Sequence, residues 1–182
     1  MKLYTISDIK NQMVSLGHKW PSGIHIVGIR ALKEVDDTFC DQLICFSPNK
    51  EPIQGVGTTI PARVYLIKPQ NPKGTAVLKE GQYIDTYEIG QHHAYRALVQ
   101  VKPVTVYRDS NRDTIINETP GTEDTGLFGI NIHKYINVIV AWLGNSSMGC
   151  QVWQDVNKFN SMMALCEASG QKQFTYTLIK EW

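Results

Sequence analysis

The stretch IHIVGIRAL, residues 24–32, begins a series of short apolar runs that are rich in β-branched and aromatic residues and are separated by turn residues. The series continues in DQLICFS (41–47), RVYLIKP (63–69), GTAVLKEGQY (74–83), YRALVQV (95–101) and VTVYRD (104–109), and it ends with FTYTLIKEW (174–182). Runs of this kind are typical of strands. The glycine- and threonine-rich segment TPGTEDTGLFG (119–129) is predicted to be a loop. Together these segments predict a mainly β domain of the sandwich or barrel-like type.

Two peripheral helices are predicted outside the strands. Apolar residues recur at helical spacing over 6–16 and stop at Gly17, so we expect an N-terminal helical cap over 1–20. The second helix follows Asp155, which is a suitable N-cap, and stops at Gly170. Its apolar stripe consists of Val156, Phe159, Met162, Met163 and Cys166.

The composition limits the number of domains and the kinds of partner. The chain has 182 residues, 42% of them apolar, which suits a single domain over residues 1–182. Its net charge of +1 comes from 18 basic and 17 acidic residues spread along the chain, so we expect no nucleic-acid partner. No apolar segment approaches the length of a membrane span, so we expect no membrane insertion. The sequence does not indicate an oligomeric state.

Among the four cysteines, Cys150 has the unusual surroundings. Cys40, Cys45 and Cys166 lie in apolar segments typical of a core, where cysteine serves as a small hydrophobic residue. The chain contains no Cys-x-x-Cys pair, so we expect reduced thiols, no metal and no cofactor. Cys150, by contrast, directly follows a glycine at the end of Ser147-Met148-Gly149.

A cysteine in this setting can act as a nucleophile. A nearby histidine favours the thiolate, and neighbouring backbone N–H groups can hold the oxyanion of an acyl-transfer intermediate. A glycine at 149 lets the backbone approach a substrate carbonyl closely. We expect the chain between His133 and Cys150 to fold back, with Gly144-Asn145 as a natural turn, so that the two side chains meet.

The order Ile132-His133, an intervening loop, and then Ser147-Met148-Gly149-Cys150 resembles the active-site signature of the L,D-transpeptidase catalytic domain (YkuD-type). Upstream, GTTIP (57–61) followed by VYL (64–66) resembles the Thr-Pro-x-Gly-x-Phe motif of that family. The matches cover the region from 40 to 155. The resemblance implies a β-sandwich domain that acylates its cysteine with a peptidoglycan stem peptide and then acts as a transpeptidase or a hydrolase.

The resemblance also assigns roles to individual residues. It implies Cys150 as nucleophile, His133 as base and Ser147 as a pocket residue. It implies Gly149 and the Cys150 N–H as oxyanion donors, and the backbone carbonyl of Lys134 as the third member that orients the histidine.

The sequence departs from the family pattern in three places. Lys134 and Val152 stand where the family usually has glycine and arginine, and Ala62-Arg63 stand where it has the glycine of its upstream motif. We therefore expect an outlying branch of phage or prophage type, with peptide hydrolysis as its output and transpeptidation as the alternative. Because the N-terminal sequence lacks an apolar run of signal-peptide length, we expect synthesis in the cytoplasm and action at the cell wall after release or export.

The alternative function is that of a protein without catalytic activity. A non-catalytic cell-wall-binding or phage structural module that retains the fold would also carry the motif, and rapid modification of Cys150 by a thiol reagent would distinguish an enzyme from it.

The pair His92-His93 is expected at a surface or a pocket rim, because adjacent strand residues point to opposite faces.

Overall fold

The computed structural model describes residues 4–32, 37–136 and 142–182 of the chain. The described residues form three helices, α1 (Ile6–Ser15), α2 (Arg63–Ile67) and α3 (Val156–Ala168). They also form eleven strands: β1 (His25–Arg30), β2 (Asp41–Phe46), β3 (Ile53–Thr58), β4 (Thr75–Leu78), β5 (Gly81–His92), β6 (Tyr95–Gln100), β7 (Val104–Asp109), β8 (Glu123–Gly126), β9 (Ile132–Lys134), β10 (Gln151–Trp153) and β11 (Phe174–Lys180). The prediction of a mainly β chain is confirmed.

Eight of the described strands close into a barrel in the order β1-β11-β5-β6-β9-β10-β3-β2, and β4, β7 and β8 form a separate sheet in the order β4-β7-β8. Most neighbouring strands are antiparallel, but β11 runs parallel to β1, and β10 runs parallel to β9. Closure of the barrel pairs backbone groups that an open sheet would leave unpaired at its edges.

The main hydrophobic cluster joins the barrel to α3 and to the second sheet. Its largest fully buried side chains include Trp153, Tyr87, Tyr176 and Phe174. The buried face of α3 consists of Phe159, Met162, Met163 and Cys166, which is most of the predicted stripe. Burial of a side chain of this size stabilises the fold by roughly 1.5–3 kcal/mol. Because α3 contacts β3, β9 and β10, this burial also fixes the two parallel strands β9 and β10.

Helix α1 packs on the outer face of the barrel, in a second hydrophobic cluster with residues of β1 and β2. Thr5 and Asp8 form a capping box at its start, which satisfies backbone N–H groups of the first turn. Ile9 and Met13 are buried, one turn apart, and the chain leaves the helix through Gly17 at φ 76°. None of the described helices has the length and apolar character that a membrane crossing requires.

The prediction of a strand over 63–69 is wrong, because this segment contains α2. A short apolar run suits either a strand or a buried turn of helix, and the tertiary contacts decide between them. Here Leu66 is buried while Val64 and Ile67 are exposed, and the Lys68 N–H closes the helix on the Val64 carbonyl.

The prediction of a continuous loop over 119–129 is also wrong, because β8 lies within it. This strand pairs only with β7, so it forms the edge of the small sheet. Thr105 and Thr125 face each other across the pair, with their hydroxyl oxygens 2.9 Å apart. Cross-strand threonine pairs of this kind stabilise a strand whose glycine content hides it in the sequence.

Candidate active site

A pocket of about 950 Å³ contains both Cys150 and His133 in its lining. Its walls come from the β5–β6 hairpin, from the small sheet and from the chain that precedes β10. The predicted return of the chain between His133 and Cys150 crosses residues 137–141, which lie outside the described residues.

Parallel pairing of β9 with β10 places the two side chains on one face. Val152 is the register partner of His133. Cys150 precedes Val152 by two positions, and residues two apart on an extended chain share a face. The neighbours Ile132 and Trp153 belong to the main hydrophobic cluster instead. The strands thus hold the histidine and the cysteine beside the pocket and hold bulky apolar residues in the core.

The imidazole of His133 is held through its Nδ1 atom. Nδ1 lies 2.9 Å from the backbone carbonyl oxygen of Lys134 and 3.2 Å from the hydroxyl of Tyr95. The same hydroxyl donates a hydrogen bond of 3.2 Å to the Lys134 carbonyl. Because a carbonyl can only accept, Nδ1 carries the proton and the lone pair lies on Nε2.

Burial sets the charge of His133. Its side chain is almost completely buried, and this desolvation lowers its pKa to about 4 against the opposing effect of the Lys134 carbonyl. Burial raises the pKa of the Tyr95 hydroxyl to about 12, so Tyr95 stays protonated and can donate. At neutral pH, His133 is therefore a neutral imidazole whose Nε2 can accept a proton.

The thiol of Cys150 is free and partly exposed. Its Sγ lies 3.5 Å from the Gly129 carbonyl oxygen and accepts a hydrogen bond of 3.5 Å from the Asn131 N–H. Burial raises the pKa of this thiol to about 11. The thiol is therefore protonated at neutral pH, and the resting site holds a neutral pair. This differs from the thiolate that the sequence predicts, so rapid modification by a thiol reagent at neutral pH is not expected of the resting enzyme.

A buried serine holds the turn before the cysteine. Ser147 Oγ accepts the Gly149 N–H at 3.1 Å and lies 3.0 Å from the Ile60 carbonyl and 2.9 Å from the Cys150 carbonyl. Ser147 is thus a support beneath the turn, while its neighbour Met148 lines the pocket.

Only a glycine fits at position 149. Its φ is +124°, and a Cβ there would lie 2.4 Å from the Ala76 carbonyl oxygen of β4. Its N–H is already occupied by Ser147 Oγ, whereas the Cys150 N–H donates to no described residue. Of the two expected oxyanion donors, the Cys150 N–H is the one that remains available.

The structure adds His92 to the site. Its ring stacks on that of His133, with the ring centroids 4.3 Å apart and the planes 21° apart. Asn131 Oδ1 accepts the Gln100 N–H at 2.9 Å, so Asn131 Nδ2 donates to His92 Nδ1, 3.0 Å away. The neutral His92 ring therefore carries its proton on Nε2.

The sequence predicts His92 and His93 at a surface or a pocket rim, and in the structure both line the pocket. It does not predict the stacking on His133, because that contact depends on the long-range pairing of β6 with β9. His93 has a φ of 51° in the tight turn after β5, so simple alternation does not apply to the pair. Within residues 4–32, 37–136 and 142–182, no group of three or more His, Cys, Asp or Glu side chains is placed to hold a metal ion.

Comparisons with protein-family models, with curated proteins and with solved structures find no match to this chain. The geometry of the pocket and the sequence motif are therefore the basis for a functional assignment.

Proposed function

We propose that this protein is a cysteine-dependent acyl-transfer enzyme of the L,D-transpeptidase type that acts on peptidoglycan stem peptides. The observation that carries the proposal is the common pocket of Cys150 and His133, with His133 Nδ1 fixed by the Lys134 carbonyl. We propose further that residues 1–182 form one catalytic domain of this family's type.

The neutral pair defines how acylation proceeds. As Cys150 Sγ forms a bond to the substrate carbonyl carbon, its proton passes to Nε2 of His133, and the carbonyl oxygen becomes an oxyanion. The Cys150 N–H is the available backbone donor for that oxyanion. The carbon–nitrogen bond then breaks, His133 returns the proton to the leaving amine, and a thioester remains on Cys150.

Proton transfer requires the thiol to turn from its resting contacts towards His133. In the structure Sγ faces the Gly129 carbonyl and the Asn131 N–H, and no hydrogen bond links it to a described atom of His133. Because Sγ is held only by two contacts of 3.5 Å, a substrate that displaces it from Gly129 can turn it towards Nε2.

The second half-reaction determines the product. A water molecule that attacks the thioester gives peptide hydrolysis, whereas an acceptor amine gives a cross-link. In either case the attacking group loses a proton to His133, the carbon–sulfur bond breaks and the thiol is regenerated. We propose hydrolysis as the main output and the cell wall as the place of action after release or export.

The proposal is tested by product analysis. Purified protein is incubated with stem-peptide fragments of peptidoglycan, and products are identified by chromatography and mass spectrometry. We expect shortened stems. Cys150→Ala should abolish them, and His133→Ala should slow their formation by a factor of about 10² to 10⁴, the usual effect of losing a positioned base.

Cys40→Ala is the matched control. Cys40 is partly exposed, unlike the core position that the sequence predicts, and it does not line the pocket. It should retain full activity. If cross-linked dimers form without shortened stems, the output of the enzyme is transpeptidation and not hydrolysis. Absence of any product from folded wild-type protein would refute the enzymatic proposal and favour a cell-wall-binding or structural module.

A further inference from the structure

Arg108 is the only side chain with a permanent charge among the described residues that line the pocket of Cys150 and His133. The other polar lining groups are amides, hydroxyls, a thiol and imidazoles, including Asn71, Thr75 and His92. No aspartate or glutamate faces Arg108 from the described lining. The pocket is therefore suited to a ligand with a negative charge.

Arg108 is held rigidly. Its guanidinium carbon lies 4.5 Å above the centre of the Phe128 ring, and its Nε donates to Asp124 Oδ2 at 3.1 Å. Its Nη1 donates to the Gly74 carbonyl at 3.4 Å. These three contacts fix the guanidinium plane before any ligand arrives, which reduces the entropy lost on binding.

One edge of this guanidinium is left for a ligand. Nη2 donates to no described residue, although the Arg108 side chain is only 9% exposed. Asp124 does not cancel the local charge, because it also pairs with Lys73 at 3.5 Å. The two cations and one anion leave a net positive charge at this wall of the pocket.

The position of Arg108 relates it to the nucleophile. Its stacking partner Phe128 is adjacent in the chain to Gly129, whose carbonyl oxygen contacts Cys150 Sγ. Arg108 and Cys150 also line the same pocket, so a group bound by Arg108 belongs to the same ligand as the bond that Cys150 attacks.

We propose that Arg108 is a specificity residue of this enzyme and binds a free carboxylate that the substrate carries into the pocket of Cys150. The inference rests on the proposed acyl-transfer function and adds a requirement to it: the stem peptide must present an ionised carboxylate to Arg108. A planar guanidinium suits a carboxylate because it can donate parallel N–H groups to the two oxygens.

The test uses two synthetic stem peptides that differ only in this group, one with the free carboxylate and one with the primary amide. We measure kcat/KM for each peptide and take their ratio, which does not depend on the fraction of protein that is active. Wild-type protein should prefer the carboxylate by a factor of about 10 to 100, as expected for a charge-assisted hydrogen bond. Arg108→Met should bring the ratio close to one.

Two variants serve as references. Arg108→Lys keeps the charge but not the planar fork and should retain part of the preference. Arg96→Met removes an exposed arginine that pairs with Glu167 outside the pocket, and it should keep the wild-type ratio. Equal turnover of both peptides by wild type, or an unchanged preference in Arg108→Met, would overturn this inference but not the proposed acyl-transfer function. If wild type turned over neither peptide, the proposed function would fail and this inference with it.

Discussion

Acidification should destabilise the protein through His133. Burial lowers the pKa of this imidazole from its ordinary value of 6.5 to about 4 in the folded state. Between these two pH values the unfolded chain binds a proton at this position while the folded protein does not. Stability therefore falls as pH decreases from 6.5 to 4, and it is fully retained above 6.5.

The size of this effect follows from the difference between the folded and unfolded pKa values. A difference of one pKa unit corresponds to about 1.36 kcal/mol. Protonation of the unfolded chain therefore lowers the free energy of unfolding by about 3 kcal/mol at pH 4. His133 is almost completely buried, so solvent screening removes little of this value. Three other buried or partly buried histidines, His18, His25 and His92, also have lowered pKa values and contribute in the same direction.

The contribution of His133 is isolated by His133→Asn. The asparagine Nδ2 can replace Nδ1 as donor to the Lys134 carbonyl, but it does not titrate. Urea unfolding of both proteins at several pH values from 8 to 4 gives two curves of unfolding free energy. Their difference should change by about 3 kcal/mol between pH 7 and pH 4, with wild type losing more. Parallel curves would show that His133 is solvated and would refute the neutral buried base.

Three further predictions concern the site. Alkylation of Cys150 by iodoacetamide should follow a titration with a midpoint near pH 11, because burial raises the pKa of this thiol; a midpoint below 7 would reveal a preformed thiolate and contradict the general-base mechanism. Gly149→Ala should lower the free energy of unfolding by about 1–3 kcal/mol and abolish turnover, because its Cβ would meet the Ala76 carbonyl at a φ of +124°; unchanged thermal unfolding and activity would show that the turn relaxes freely. His92→Ala should reduce kcat by about 2- to 10-fold with little change in KM, since loss of the ring stacking releases His133; an unchanged kcat would remove His92 from the site.

The local pattern of the sequence predicts the elements whose own residues determine them. Alternating and β-branched runs indicate the long strands, and Asp155 with Gly170 marks the ends of α3. The segment that forms α2 is too short for its periodicity to separate a helix from a strand. Strand β8 lies in a glycine- and threonine-rich segment and is formed by pairing with β7, which no local pattern reveals.

The residues of the site also differ in whether the sequence reveals them. Cys150 and His133 could be found because a motif places both within one segment of the chain, and parallel pairing of β9 with β10 accounts for their common face. His92 and Arg108 reach the pocket from a distant hairpin and from the second sheet. Their positions depend on long-range strand pairing. The sequence therefore indicates a histidine pair beside a strand, but it predicts neither the contact of His92 with His133 nor the place of Arg108 in the pocket.

The central claim is that Cys150 is the residue acylated by the substrate. The most direct measurement is the mass of the intact protein after incubation with a carbapenem-like acylating agent, followed by peptide mapping of the adduct. We predict one added acyl group per chain, located on Cys150, absent in Cys150→Ala and retained in Cys40→Ala. An unmodified protein, or an adduct located on Cys40, Cys45 or Cys166, would contradict the claim.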